Sequence, residues 1–250
     1  MSYDHGRFVW FELLTKDIDK AISFYSQALP WRIEPMTMQD GSSYNVIKVG
    51  DQGIGGFVSP QDDVRTAWVS YVSVANVEEA AQKIEAWGGI ILGDAFDVPG
   101  VGRMQPVSDR HSGMFRLFKG ETADPPRVEG LGSFHWNELW SHEPPSSIEF
   151  FEGALGYTHE EITMPNGAIY YVFKDGEAMR GGMIPSPHVA LPTMWLQYIE
   201  VDDCDATLGR AKQIGATVIA EPIDAKGIGR IAMFSDPLGG MIGLIKPAGA

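Results

Sequence analysis

The chain repeats itself. Residues 8–15 read FVWFELLT and residues 134–141 read FHWNELWS, so Trp10 meets Trp136, Glu12 meets Glu138 and Leu13 meets Leu139 at a spacing of 126 residues. The same spacing pairs Phe24 with Phe150 and Ala28-Leu29 with Ala154-Leu155. Further along, WVSYVSV (68–74) meets WLQYIEV (195–201) at a spacing of 127, as do Gly102-Arg103 and Gly229-Arg230, Asp109 and Asp236, Gly113 and Gly240, and Lys119 and Lys246. Self-similarity that stays in register over most of each half marks a duplicated structural unit and limits the possible folds more than any local propensity does. The seam is ETADPPRVEGLG (121–132), with the Pro and Gly content of a linker, which sets the expected domains at 1–120 and 133–250.

Within each half the pattern reads strand, helix, three strands, and then the same again. Residues 8–14 form a strand. Asp17 to Leu29 carries Ile18, Ala21, Ile22, Tyr25 and Leu29 at helical spacing, with Asp17 as N-cap. Short strands follow near 32–38, 44–49 and 54–58, with a hairpin turn at Asp40-Gly41. Strand 67–74 leads to helix 77–87, which stops at Gly88-Gly89, and three short strands run on to Lys119. The second half repeats this with helices 146–154 and 203–214, strand 194–201, turns at Asn166-Gly167 and Asp175-Gly176 and a stop at Gly215. The expected fold is α+β: tandem paired βαβββ modules forming two eight-stranded, half-open curled sheets with helices outside and a ligand in the hollow.

Charge narrows the partners. Asp plus Glu number 33 against 19 Lys plus Arg, a formal charge of −14. Phosphate backbones are bound mainly by Lys and Arg, and anionic lipid repels an acidic chain, so neither nucleic acid nor a membrane surface is expected. Cys204 is the single cysteine, which excludes an intrachain disulfide and a Cys-rich zinc site. No apolar run approaches ~18 residues, and Met1 to Phe11 does not read as a signal peptide. A cytoplasmic protein with a small-molecule ligand is the expectation. Tandem duplication can internalise a pairing otherwise made between chains, so a monomer or a homodimer is compatible with the pattern.

TKDIDKAISFYSQAL after the first strand, VANVEEAAQKIEAWGG after the fifth and the SDPLGGMIGL ending are the local motifs of this βαβββ pattern. With them the chain resembles the vicinal oxygen chelate superfamily of glyoxalases, bleomycin-resistance proteins and extradiol dioxygenases. The Trp-x-Glu-Leu opening, the Trp-x-x-Tyr strand and the GVGR/GIGR strand resemble one tandem two-domain branch, the mycobacterial 27 kDa antigen type, glyoxalase-like or hydroxylase-like. The resemblance implies a metal held by a His on the first strand, a His on the fifth and a Glu on the eighth. Those positions carry Trp10, Val69 and Arg116 in one half and Trp136, Leu196 and Gly243 in the other. None is a usual ligand, so no metal and no other cofactor is expected. His5, His111, His135, His142, His159 and His188 are scattered and lack the i, i+4 spacing of a metal clamp, which suits structural or exposed roles.

Alternation along a strand puts Trp10 with Glu12, Trp136 with Glu138, and Tyr71 and Tyr198 on the face of Val69 and Leu196. An indole offers an apolar plane and one N–H donor. A carboxylate against apolar walls is disfavoured in its charged form and can serve as acid, base or hydrogen-bond anchor. Other readings stay open: Trp10, Trp136, Tyr71 and Tyr198 also suit core packing, and Arg103 and Arg230, which recur in register, could neutralise Glu12 and Glu138 internally. Trp68 and Trp195 should face the helices. Gly53-Ile54-Gly55-Gly56 lies between strands and is no dinucleotide fingerprint. Cys204, at a helix start, has no adjacent His and reads as a bystander.

Two functions follow. The first is a metal-free binder of a small aromatic or amphipathic molecule, lined by Trp10, Trp136, Tyr71, Tyr198, Arg103, Arg230 and Arg116. The second is an enzyme with lyase, isomerase or oxygenase chemistry on a carbonyl or aromatic substrate, using catalytic Glu12 and Glu138 or an unconventional metal site. Phe11 against Asn137, Leu14 against Trp140 and Arg116 against Gly243 make the halves unequal, so one half could bind while the other is structural.

Overall fold

A computed structural model describes residues 3–60 and 64–249. The first half runs β1 (Phe8–Leu14), α1 (Ile18–Ala28), β2 (Arg32–Thr37), β3 (Ser43–Val49), β4 (Gln52–Val58), β5 (Ala67–Ser73), α2 (Val77–Ala86), β6 (Ile90–Ile91), β7 (Phe96–Val98), β8 (Gly102–Ser108) and β9 (Met114–Gly120). The second half runs β10 (Phe134–Ser141), α3 (Pro144–Leu155), β11 (Thr158–Thr163), β12 (Ile169–Asp175), β13 (Ala178–Pro185), β14 (Met194–Glu200), α4 (Cys204–Gln213), β15 (Thr217–Ala225), β16 (Gly229–Ser235) and β17 (Met241–Pro247). The fold is α+β with two curled sheets. Their strand orders are β2-β3-β4-β1-β5-β9-β8-β6 and β11-β12-β13-β10-β14-β17-β16-β15, the same path taken twice.

The local signals act as their chemistry requires. Asp17 accepts from the backbone N–H of Lys20, Asn76 from that of Glu79 and Asp203 from that of Ala206, each relieving an orphan donor at a helix start. Helix α1 buries Ala21, Phe24, Tyr25 and Ala28.

One expectation is corrected. The first half carries four strands after α2 rather than three, because β6 and β7 are separate and β7 pairs β8 off the main path. Pro106 in β8 explains the break. It has no N–H for the ladder, whereas Met233, at the equivalent place in β16, pairs with Ala220 and lets β15 run on through two bulges.

The described chain divides into two compact units that do not follow the two sheets. Unit 1 holds Met1–Trp10, Val69–Pro125 and Asn137–Trp195; unit 2 holds Phe11–Trp68, Pro126–Trp136 and Leu196–Ala250. Each unit takes one helix pair, α2 with α3 in unit 1 and α1 with α4 in unit 2. Each has its own aromatic core. In unit 2, Trp68 packs on Tyr25, Trp31, Phe57 and Phe134. In unit 1, Phe151 packs on Phe115, Phe150, Phe173 and Trp195, and Trp195 on Phe8. Trp68 and Trp195 are therefore core, as expected. Among the described residues no helix is long and apolar enough to cross a membrane.

Candidate functional site

Glu12 is buried at 6% exposure and Glu138 at 7%, although both are carboxylates on strands. Burying such a group without hydrogen bonds is costly, so their partners decide what they can do. Glu12 lies on β1 in register with Gly56 of the parallel strand β4. On β3, Tyr44 reaches over that glycine, and its O–H donates to Glu12 Oε1 at 2.8 Å. A Cβ on Gly56 would collide with the Tyr44 hydroxyl, so the glycine is the condition for the pair. The second half repeats the frame. Glu138 lies in register with Gly182, and the Tyr170 hydroxyl occupies the space of a Gly182 Cβ. An indole donates here: Trp140, two residues along β10, gives its N–H to Glu138 Oε1 at 2.9 Å. Trp140 is 1% exposed and stands 5.6 Å, centroid to centroid, from the His188 ring. Leu14 occupies the equivalent place in the first half and has no donor.

Tyr44, Tyr170 and Trp140 were not among the expected site residues. The signal was present: Tyr44 and Tyr170, like Gly56 and Gly182, are 126 residues apart.

Trp10 is half-buried in unit 1 and packs, with Val98, against a buried cluster of Val9, Tyr71, Met104 and Phe118. Tyr71 pairs in register with Arg116 of the parallel strand β9. Arg116 Nη1 donates to the Tyr71 hydroxyl, and its guanidinium carbon stands 5.2 Å from the ring centroid. In unit 2 the equivalent pair is Tyr198 and Gly243, and a Cβ on Gly243 would approach Tyr198 Cδ1 to 2.5 Å. Trp136 is half-buried.

The metal positions implied by the resemblance do not fit a metal in their donor chemistry. Val69 and Leu196 are buried hydrocarbon, Arg116 is a cation bonded to Tyr71, and Gly243 lies under a phenol ring. Among the described residues no three His, Cys, Asp or Glu side chains gather as a candidate ion site.

Arg103 and Arg230 correct another expectation, for they do not neutralise Glu12 and Glu138. Arg103 binds Glu78 at the start of α2 and Asp97 on β7. Arg230 binds Asp205 at the start of α4 and Asp224 on β15. These arginines sit at the partly exposed surface, where they clamp a helix N-terminus to the sheet, and each pulls its helix carboxylate below the usual range by hydrogen bonding.

The histidines each have a local contact. His5 meets the Leu155 carbonyl, His111 the Ser146 hydroxyl, His135 Glu200, His142 the Leu191 carbonyl, His159 Glu152 and His188 the Trp140 ring. The Cys204 thiol is buried and donates to the Arg230 carbonyl, and burial raises its pKa, the opposite of an activated nucleophile.

Comparison with known proteins agrees with this architecture. Residues 7–50 match a family model described as bleomycin resistance protein-like N-terminal, and residues 133–244 match the glyoxalase/bleomycin resistance protein/dioxygenase superfamily model. A relative from Mycobacterium tuberculosis, CFP32, which carries the name glyoxylase on a provisional basis, is 30% identical over 99% of this chain and 97% of its own. The anthracycline biosynthesis protein DauV of a Streptomyces species is 24% identical over 96% of this chain and 93% of its own. Among solved structures, the Mn(II)-bound glyoxalase of Novosphingobium aromaticivorans has a TM-score of 0.63 at 16% identity, covering 97% of this chain and 81% of that one. A catechol 2,3-dioxygenase has a TM-score of 0.62 at 12% identity, covering 99% and 91%. Identities this low speak for the fold alone.

Proposed function

Because the chain belongs to the glyoxalase/bleomycin resistance/dioxygenase superfamily, we propose that it uses that scaffold to bind a small aromatic or amphipathic molecule without the superfamily's His, His and Glu metal triad. The observation that carries this reading is the donor set: indole, hydrocarbon and guanidinium in one half, and indole, hydrocarbon and glycine in the other, stand at the three ligand positions. What the first of those positions offers instead is the half-buried indole of Trp10 in unit 1 and of Trp136 in unit 2, with Tyr71 and Tyr198 buried close in sequence to Val69 and Leu196. Aromatic planes bind apolar rings by area and supply oriented donors. Titration of the full chain with a panel of aromatic compounds, followed by tryptophan quenching in the wild type and in Trp10→Phe and Trp136→Phe, tests it. Saturable quenching that one substitution removes is expected; a panel that leaves the fluorescence unchanged contradicts the reading.

The Glu12–Tyr44 pair favours a second reading, proton transfer on a carbonyl or enol substrate. A phenol that donates to a buried carboxylate sets an acid and a base side by side. Glu12→Gln keeps an oxygen acceptor but removes the ionisable base there, and Glu138→Gln does so in the second half. Turnover unchanged in the double variant would eliminate this reading.

A further inference from the structure

We propose that unit 1 carries a nucleophilic serine: Ser146, with His111 as its base, takes an acyl group from an activated ester. This goes beyond the binding role and uses none of its residues. Ser146 stands in the first turn of α3, whose opening residues Pro144 and Pro145 have no N–H and whose N-cap, Glu143, makes no side-chain cap bond. The first amide of the helix is therefore that of Ser146 itself, at the positive end of the helix dipole. Ser146 is half-buried, and its Oγ lies 2.9 Å from His111 Nε2, within the reach of a nucleophile to its base. Arg110 Nη1 donates to the same Oγ at 3.3 Å, which directs the hydroxyl proton to His111 when Nε2 carries none. Arg110 is fixed by a second bond, from Nη2 to the Trp87 carbonyl at 2.8 Å, and its ion-pair partner Glu149 is exposed. His111 is held through its backbone: its N–H and that of Gly113 both donate to Oδ1 of the buried Asp109 at 2.8 Å.

The repeat supplies an internal control. In unit 2 the equivalent turn is held in the same way, with Leu238 and Gly240 donating their N–H groups to Asp236 Oδ1. Yet Pro237 and Leu238 stand where unit 1 has Arg110 and His111, and Lys20 stands where it has Ser146. The turn is complete without base, cation and hydroxyl, so the fold does not demand them. Strain lies beside them. Ser112, next in the chain, sits at φ 73° and is the one non-glycine at positive φ among the described residues. Backbone strain of this kind gathers at functional sites, where the surroundings over-determine it. In the reaction, Ser146 Oγ attacks the ester carbonyl carbon while its proton passes to His111 Nε2. The Oγ–C bond forms, the bond from that carbon to the leaving oxygen breaks, and His111 hands the proton to the leaving oxygen.

Treatment of the full chain with p-nitrophenyl acetate tests the proposal. Release of p-nitrophenolate is followed by absorbance, and the acetyl group is located by peptide mass spectrometry after acid quenching at successive times. The expected result is an acetyl group on Ser146. Ser146→Ala removes it. His111→Ala, with folding checked by thermal melting, slows its formation about a hundredfold, and added imidazole restores part of the loss. No acetyl group on Ser146 in the wild type, a result that needs no variant, overturns the proposal. An equal rate of Ser146 acetylation in the wild type and in folded His111→Ala also overturns it, because a contact that only ties the turn to α3 would alter melting and not this rate.

Discussion

Unit 2 and unit 1 are one design executed twice, and at the centre of their cores they part at one hydroxyl oxygen, that of Tyr25. In unit 2, Trp31 gives its indole N–H to the Gly132 carbonyl at 2.7 Å; in unit 1, Tyr157, 126 residues on, gives its O–H to the Gly6 carbonyl at 2.6 Å. Phe134 edges onto Trp68 as Phe8 does onto Trp195. The centre differs. Tyr25 accepts from Trp68 Nε1 at 2.9 Å and donates to Asp236 Oδ2 at 2.7 Å, so that both oxygens of this buried carboxylate are used. The equivalent of Tyr25 in unit 1 is Phe151, and the equivalent carboxylate, Asp109, is fully buried with Oδ2 lacking a hydrogen-bond partner. Burial accordingly pushes the Asp109 carboxyl above its usual range. The turn around it is also strained: Ser112 sits at φ 73°, where the other unit has Gly239 at φ 104°. A duplicated scaffold thus keeps its apolar packing while its polar connections drift, and unit 1 carries the unfavourable terms.

The sharpest break in the comparison is on β4. A Cβ on Gly55 would collide with the backbone carbonyl of Phe11, whereas one on Gly181, the equivalent residue, stands 2.9 Å from the Asn137 carbonyl. Gly55→Ala should cost about 3 kcal/mol and Gly181→Ala about 1 kcal/mol in urea unfolding; equal losses would show that the two ladders are alike. Next, Tyr25→Phe gives unit 2 the side chain that unit 1 has at Phe151 and strands a buried acceptor on Asp236, an expected loss of about 2 kcal/mol in the same unfolding experiment.

The reverse exchange, Phe151→Tyr, should gain about 1 kcal/mol at neutral pH by giving Asp109 Oδ2 a donor. Its pH dependence follows from the raised pKa of Asp109. That group's stabilising contribution is full below its unfolded value of about 3.9 and is lost as pH rises through the folded one. A donor to the carboxylate lowers the folded pKa, so the gain from Phe151→Tyr should shrink when unfolding is measured in acid. A gain that grows in acid contradicts the assignment. Smallest of all, Ser112→Gly should gain ~0.5 kcal/mol by releasing the left-handed backbone, with no counterpart available at Gly239.

Much of this architecture is legible in the amino-acid order because a duplication prints every structural requirement twice. The caps at Asp17 and Asp203 and the packing of Trp68 and Trp195 follow from local chemistry. What recurrence does not reveal is destination. Arg103 and Arg230 recur because Glu78 and Asp205, and Asp97 and Asp224, recur with them at a spacing of 127, a signal as readable as the arginines themselves. The Glu12–Tyr44 pair depends on the parallel pairing of β1 with β4, which joins segments more than 40 residues apart in the chain and leaves no local trace. The division into units that cross the two sheets is a tertiary choice of helix partners, α1 with α4 and α2 with α3, written in no single motif.

The account turns on aromatic and hydrogen-bonding groups having taken over from metal ligands, so the deciding measurement is calorimetric titration of the purified chain with a bound aromatic ligand, before and after exhaustive treatment with EDTA. The account predicts one dissociation constant in both states and no change on adding Mn(II) or Fe(II). Binding that vanishes with the chelator and returns with one equivalent of either ion would contradict it.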